Sequence, residues 1–220
     1  MLPFLGGLPQ NANGLLVFGL IAAALYLLRP SATSGGKWAI VKTIPVAFFA
    51  LIAWQQSAPT VLVVALALSA VGDYLLAHEG ERFFLGGLAA FFFAHFAYIL
   101  LFASGGTLLL ANEPWRLAVA LIFLVHAALM ARRLNSAVAS DMRIPVFAYI
   151  GAISLMGLSA SLYAGAWILI GVLLFIVSDT LLAIGRFLIT GNDSRQNFVQ
   201  PGVWTTYVAA QVVILLGFVT

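Results

Sequence analysis

The chain is 220 residues long, 63% hydrophobic and 8% charged, with a mean hydropathy of +1.10. A soluble globular domain carries about 25% charged residues, so an ordinary wetted surface is excluded and an integral membrane protein is expected. The net charge of +3 does not point to nucleic acid, because the few basic residues stand at the ends of apolar runs, where membrane topology accounts for them. With no cysteine, thiol catalysis, disulfides and cysteine metal sites are excluded as well.

The first stretch, MLPFLGGLPQNANG, has no basic residue ahead of its apolar run, so no cleaved signal peptide is expected. A helix needs about 20 mostly apolar residues to cross a bilayer. Eight segments meet that description: 12–29, 38–55, 59–77, 83–103, 115–131, 144–163, 166–188 and 199–219, the fifth being short. They are separated at RPSATSGGK, QQSAP, HEGER, SGGTLLLANEP, RRLNSAVASDMR, YAG and TGNDSRQN, all rich in turn formers. The expected fold is an all-α integral membrane protein of eight transmembrane helices, with residues 1–220 forming one transmembrane domain. Arg29, Lys37, Arg82, Arg132, Arg133, Arg143 and Arg195 follow the odd-numbered spans, and Arg116 alone departs from that pattern. The positive-inside rule then puts the odd loops in the cytoplasm and both termini outside.

Two stretches read alike: GDYLLAHEGERF in the third span and SDTLLAIGRF in the seventh, each with D-x-L-L-A. Thr43-Ile44-Pro45-Val46 in the second span matches Arg143-Ile144-Pro145-Val146 in the sixth. The fourth span lies on the eighth so that Gly86 meets Gly202, Phe91 meets Tyr207 and His95 meets Gln211. This order predicts two parallel four-helix repeats, 12–110 and 111–220, with Asp73 and Asp179 equivalent. Pro45 and Pro145 are read as lying near helix starts, where proline is tolerated.

A charge at the centre of a spanning helix costs about 2.5–3.5 kcal/mol, so Asp73 and Asp179 are functional candidates, with a structural ion pair such as Asp73–Lys42 as the plainer reading. Lys42, Tyr149, His126 and Tyr207 fall in the same cytoplasmic half, while His95 and Gln211 lie deeper. A polar pocket open to the cytoplasmic leaflet is expected from them. Arg186 stands seven residues after Asp179, on the same face of a continuous helix, at lipid phosphate level or at the cytoplasmic edge. Two carboxyls at low dielectric provide one acid and one base. No HExxH, GxSxG, P-loop or dinucleotide pattern occurs, so neither metal nor cofactor is expected.

One set of residues carries a resemblance. It comprises Lys42 and Pro45; Ser69, Gly72, Asp73 and Leu76; Phe84, Gly86, Phe91, His95 and Tyr98; Ser178, Asp179, Leu182 and Ala183; and Tyr207 with Gln211. In this order and spacing the chain resembles the YhhN/TMEM86 family, the lysoplasmalogenases. The resemblance implies hydrolysis of the vinyl ether of a lysoplasmalogen, a lysophospholipid of the bilayer, to a fatty aldehyde and glycerophosphocholine or glycerophosphoethanolamine. For that activity Asp73 and Asp179 are the expected catalytic pair, one as acid and the other as base, and Lys42, His95, Tyr149, Arg186, Tyr207 and Gln211 are expected on the substrate. Lys42, Arg186 or Arg82 would meet the phosphate. The expected location is a bacterial inner membrane, multi-pass, with both termini outside. Intramembrane carboxylates on parallel repeats equally suit a proton-coupled transporter of small molecules or lipids, and a lipid-binding scaffold is a third reading.

Overall fold

The structure, a computed structural model, describes residues 8–29, 35–104, 113–163, 165–189 and 193–219. The opening stretch read for a signal sequence lies largely outside them. So do parts of the breaks RPSATSGGK, SGGTLLLANEP, YAG and TGNDSRQN. Eight helices form among the described residues: α1 Gln10–Leu27, α2 Gly36–Gln55, α3 Thr60–Leu76, α4 Glu81–Ser104, α5 Trp115–Leu134, α6 Arg143–Leu162, α7 Ala166–Ala183 and α8 Gln196–Val219. Seven, counting the continuation of α7 to Leu188, are long and apolar enough to cross a membrane. The exception is α3, whose 17 residues lie at the short limit of a spanning helix. The fifth segment, short in the sequence, is a full 20-residue helix because it runs on through Arg132 and Arg133. The protein is an all-helical, multi-pass membrane protein.

Each helix can be exposed and greasy on its outer side because lipid, not water, is the solvent there. Phe18, Trp54, Phe93, Ile122, Leu155 and Trp167 are all more than half exposed. Inward faces carry small residues that bring helices close. Gly19 of α1 lies against the backbone of Pro45 and the ring of Phe49. Gly157 of α6 faces the ring of Phe123 and the side chain of Ile176. Before α2, Gly35 takes φ +65°, and a Cβ there would stand 2.9 Å from the His78 ring, so glycine suits the site on both counts.

The chain forms two compact units. Unit 1 holds α1, α2, α3, α4 as far as Tyr98, and α8 from Gln211; unit 2 holds α4 from Ile99, α5, α6, α7, and α8 as far as Ala210. Within unit 1, α1 packs on α2 and α2 on α3; within unit 2, α5 packs on α6 and α6 on α7.

Three local features differ from the sequence reading. Pro145 is the third residue of α6, as expected, but Pro45 lies in the interior of α2, because the helix begins at Gly36 and carries the apolar run before the proline. The seventh span is not one continuous α-helix: Ile184–Leu188 forms a π-helical turn, closed by the Ile189 N–H donating to the Ile184 carbonyl at 3.0 Å. The wider turn changes the register of the residues in it, so a seven-residue spacing no longer by itself sets Arg186 under Asp179. Arg116, the basic residue out of place, is buried and structural. It donates to Glu113 at 2.9 Å and to the carbonyls of Ser161 and Tyr163 at 3.3 and 2.9 Å, which closes the C-terminal end of α6.

Candidate functional site

In unit 1 the carboxylate comes from α3. Asp73 lies in the last turn of that helix, 2% exposed, and its Oδ1 lies 3.9 Å from Lys42 Nζ on α2. Lys42 is itself only 13% exposed, so its ammonium turns inward instead of reaching for the interface. The same ammonium stands 5.9 Å from the centre of the Tyr26 ring on α1, and the Arg29 guanidinium lies 4.1 Å from it. Two cations and one carboxylate therefore stand close together at this end of unit 1. Gly72 brings α4 close: a Cβ there would lie 2.6 Å from the Phe91 ring.

Deeper in unit 1 is a second polar group. The Tyr98 O–H donates to Gln211 Oε1 at 2.6 Å, with both residues fully buried. His95 places Nδ1 2.6 Å from the Phe91 carbonyl. A carbonyl only accepts, so Nδ1 carries the hydrogen of that bond.

In unit 2 the carboxylate comes from α7. The Tyr149 O–H on α6 donates to Asp179 Oδ2 at 2.6 Å. The neighbours of Asp179 are bonded too. Ser178 Oγ donates to the Val203 carbonyl of α8 at 2.9 Å. Thr180 Oγ1 donates back to the Ile176 carbonyl at 2.6 Å and lies 2.8 Å from His126 Nε2 on α5. A hydroxyl has one hydrogen, so Thr180 accepts from His126 and Nε2 of that ring carries a proton. Successive side chains on a helix point about 100° apart, which is how three adjacent residues reach three different helices.

Of the residues singled out in the sequence, Lys42 and Asp73 meet in unit 1, as do Tyr98 and Gln211, with His95 on the same α4 segment. Tyr149 and Asp179 meet in unit 2. Tyr207 is buried in unit 2 beside the rings of Phe175 and Trp204, with centroids at 5.4 and 5.8 Å. Arg186 is exposed on the π-helical turn. The sequence does not single out Tyr26 or Gln196. Gln196 Nε2 donates to the Gly185 carbonyl at 2.7 Å, inside that turn, and Gly185 is itself pressed against Val199. No sequence pattern signals a glutamine on a distant carbonyl, whereas Ser178 is visible in the S-D pair. Among the described residues no group of three or more metal-ligating side chains comes together. Outside the spans, hydrogen bonds from the Arg195 side chain and backbone hold the Asp193 carboxyl below its usual range.

Comparison with known proteins adds an independent line. The model of the YhhN family matches residues 37–218. Lysoplasmalogenases of Mycobacterium bovis and Mycobacterium tuberculosis are each 35% identical over 165 residues, which is 71% of this chain and 59% of theirs. The chain thus spans somewhat under two thirds of the length of these curated relatives. No solved structure matches.

Proposed function

The chain belongs to the YhhN family, and we propose that it is a membrane hydrolase that cleaves the vinyl ether bond of a lysoplasmalogen. The observation that carries this reading is the pair of carboxylates on spanning helices, each held by a donor on the neighbouring helix: Asp73 by Lys42, and Asp179 by Tyr149. The name of the mycobacterial relatives supplies the substrate class.

The chemistry needs an acid and a base and nothing more. A carboxyl gives its proton to the β-carbon of the vinyl ether, the C=C electrons form the new C–H bond, and an oxygen lone pair makes an oxocarbenium ion. A carboxylate offsets that cation and takes a proton from the water that adds to it. The hemiacetal then collapses, its O–H proton passing to the glycerol oxygen as that C–O bond breaks. Fatty aldehyde and a glycerophosphodiester leave. Lys42 and Arg29, close together in unit 1, suit the phosphate, and Arg186 and Arg82 are further basic groups for it. The basic loops support an orientation with both termini outside and with the site reached from the cytoplasmic leaflet of a bacterial inner membrane.

Aldehyde release from a synthetic lysoplasmalogen by the purified protein tests this. The parent releases aldehyde with or without a metal chelator, and Asp73→Asn and Asp179→Asn each lose about a hundredfold or more, the scale of general acid–base catalysis. No aldehyde from a folded parent sinks the hydrolase reading. Full activity in both variants means that the carboxylates are structural.

A further inference from the structure

The role of Arg29 rests on the reading of the substrate as a lysophospholipid. We infer that Arg29 takes the phosphodiester of that lipid, and that Tyr26 is its positioning residue through the face of its ring. Tyr26 stands in the last turn of α1 and Arg29 follows the helix, so both come before residue 37, where the family match begins.

The geometry separates the two cations of this cluster. Lys42 is already engaged, with Nζ 3.9 Å from Asp73 Oδ1. Arg29 donates from Nη1 to the Tyr26 carbonyl at 3.4 Å, a long bond, and its guanidinium carbon lies 4.1 Å from the centre of the Tyr26 ring. Among the described residues it makes no other hydrogen bond and no ion pair. A guanidinium carries five N–H donors, so most of them remain for a ligand. An arginine just past the end of a spanning helix ordinarily stretches its stem toward the interface. This one is half-buried and folds back over a ring that is itself only 7% exposed. The Lys42 ammonium stands 5.9 Å from the centre of the same ring. Two like charges around one ring repel, and an anion arriving at Arg29 relieves that repulsion.

The chemistry of the ligand follows. A guanidinium meets phosphate oxygens with parallel, charge-assisted N–H bonds. The ring attracts the cation electrostatically but carries no charge of its own. A carboxylate in its place would hold Arg29 as well and would cancel the charge that the ligand needs. Position agrees with this assignment. Only the glycerol carbons separate the phosphate of a lysolipid from its sn-1 ether, so a phosphate on Arg29 brings the ether toward Asp73, which belongs to the same cluster. Phospholipids of the bilayer carry the same phosphodiester, and the test separates the two sources.

The test uses the full chain in maltoside micelles free of phospholipid, with two probes that cannot be hydrolysed: 1-alkyl lysophosphatidylcholine and 1-alkylglycerol, which lacks the phosphate. Arg29→Gln is expected to bind the phosphate-bearing probe roughly tenfold or more weakly, the scale of a charge-assisted contact. Tyr26→Leu is expected to lose about three- to tenfold, the scale of a cation over a ring. Both variants bind 1-alkylglycerol like the parent, which shows that they are folded, and Tyr26→Phe, which keeps the ring, binds both probes like the parent. Parental affinity of Arg29→Gln for the phosphate-bearing probe overturns the inference. So does an equal loss for both probes, which makes the change structural. A Tyr26→Phe as weak as Tyr26→Leu overturns the role of the ring. If two-chain phosphatidylcholine displaces the lysolipid probe from the parent at equal concentration, the site belongs to the bilayer lipid and the assignment to the substrate falls. These readouts are of binding alone, so a parent that binds the probe through Arg29 and releases no aldehyde sinks the hydrolase reading and leaves the phosphate site standing.

Discussion

Asp73 and Asp179 occupy matching places on α3 and α7, yet the two units hold them by different physics. In unit 1 the carboxylate faces an ammonium, the preceding residue is a glycine wedged against Phe91, and the following residue, Tyr74, is 44% exposed. In unit 2 the carboxylate accepts a phenol, and the residues on either side both make hydrogen bonds to neighbouring helices. One carboxylate faces an ammonium beside a close-packed glycine, and the other accepts from a phenol between two side chains bonded to other helices. Beneath the difference the frame repeats. A Cβ at Gly86 would stand 3.3 Å from Leu75 of α3, and one at Gly202 would stand 3.2 Å from Leu181 of α7. Those four residues are among those that the internal sequence match pairs.

The comparison can be broken by removing one anchor at a time. The largest effect on stability is expected from Lys42→Met, which takes the ammonium from a buried carboxylate. Breaking a buried pair costs about 3–5 kcal/mol, and the low end applies because the lysine keeps some exposure. Tyr149→Phe, the matching removal in unit 2, should cost less, about 1.5–3 kcal/mol, since it deletes one hydrogen bond to a carboxylate and no charge. Thermal unfolding in detergent, followed by tryptophan fluorescence, separates the two. Equal costs would erase the distinction between an ammonium and a phenol as partner. Adding Asp73→Asn to Lys42→Met should recover part of the loss.

A smaller effect sharpens the contrast one residue earlier. Gly72→Ala forces a methyl into the Phe91 ring and should cost about 1–3 kcal/mol through overpacking. Ser178→Ala, at the matching place, removes one hydrogen bond and should cost about 1 kcal/mol. A tolerated alanine at 72 would mean that α4 can move away from α3. The smallest effect lies outside the spans, at Asp193 and Arg195. A carboxyl held below its usual range adds stability at neutral pH and gives it up only as the pH falls through that lowered value. On the surface the pair is screened by salt, so Asp193→Asn should leave the midpoint unchanged in high salt and show at most a small acid-side difference in low salt.

The membrane class, the helix count and most helix limits were legible in the sequence, because the bilayer imposes a length and a composition that no other environment does. The two aspartates were legible for the same reason: a carboxylate in an apolar run has no cheap explanation. Partners were not. That Lys42 faces Asp73 was one option among several, and that Tyr149 reaches Asp179 and His126 reaches Thr180 depends on helix rotation, which an almost uniformly apolar helix does not encode. The interior position of Pro45 and the π-helical turn at Ile184–Leu188 escaped for a related reason. Neither leaves a mark in the local pattern, and the turn has its Gly185 carbonyl satisfied from elsewhere, by Gln196 on the next helix. Sequence alone determined that this chain lives in the membrane and that two carboxylates live there with it. Only the tertiary structure decided which donor each carboxylate meets, because hydrogen-bond partners are chosen by packing between helices and not by the spacing of residues along one of them.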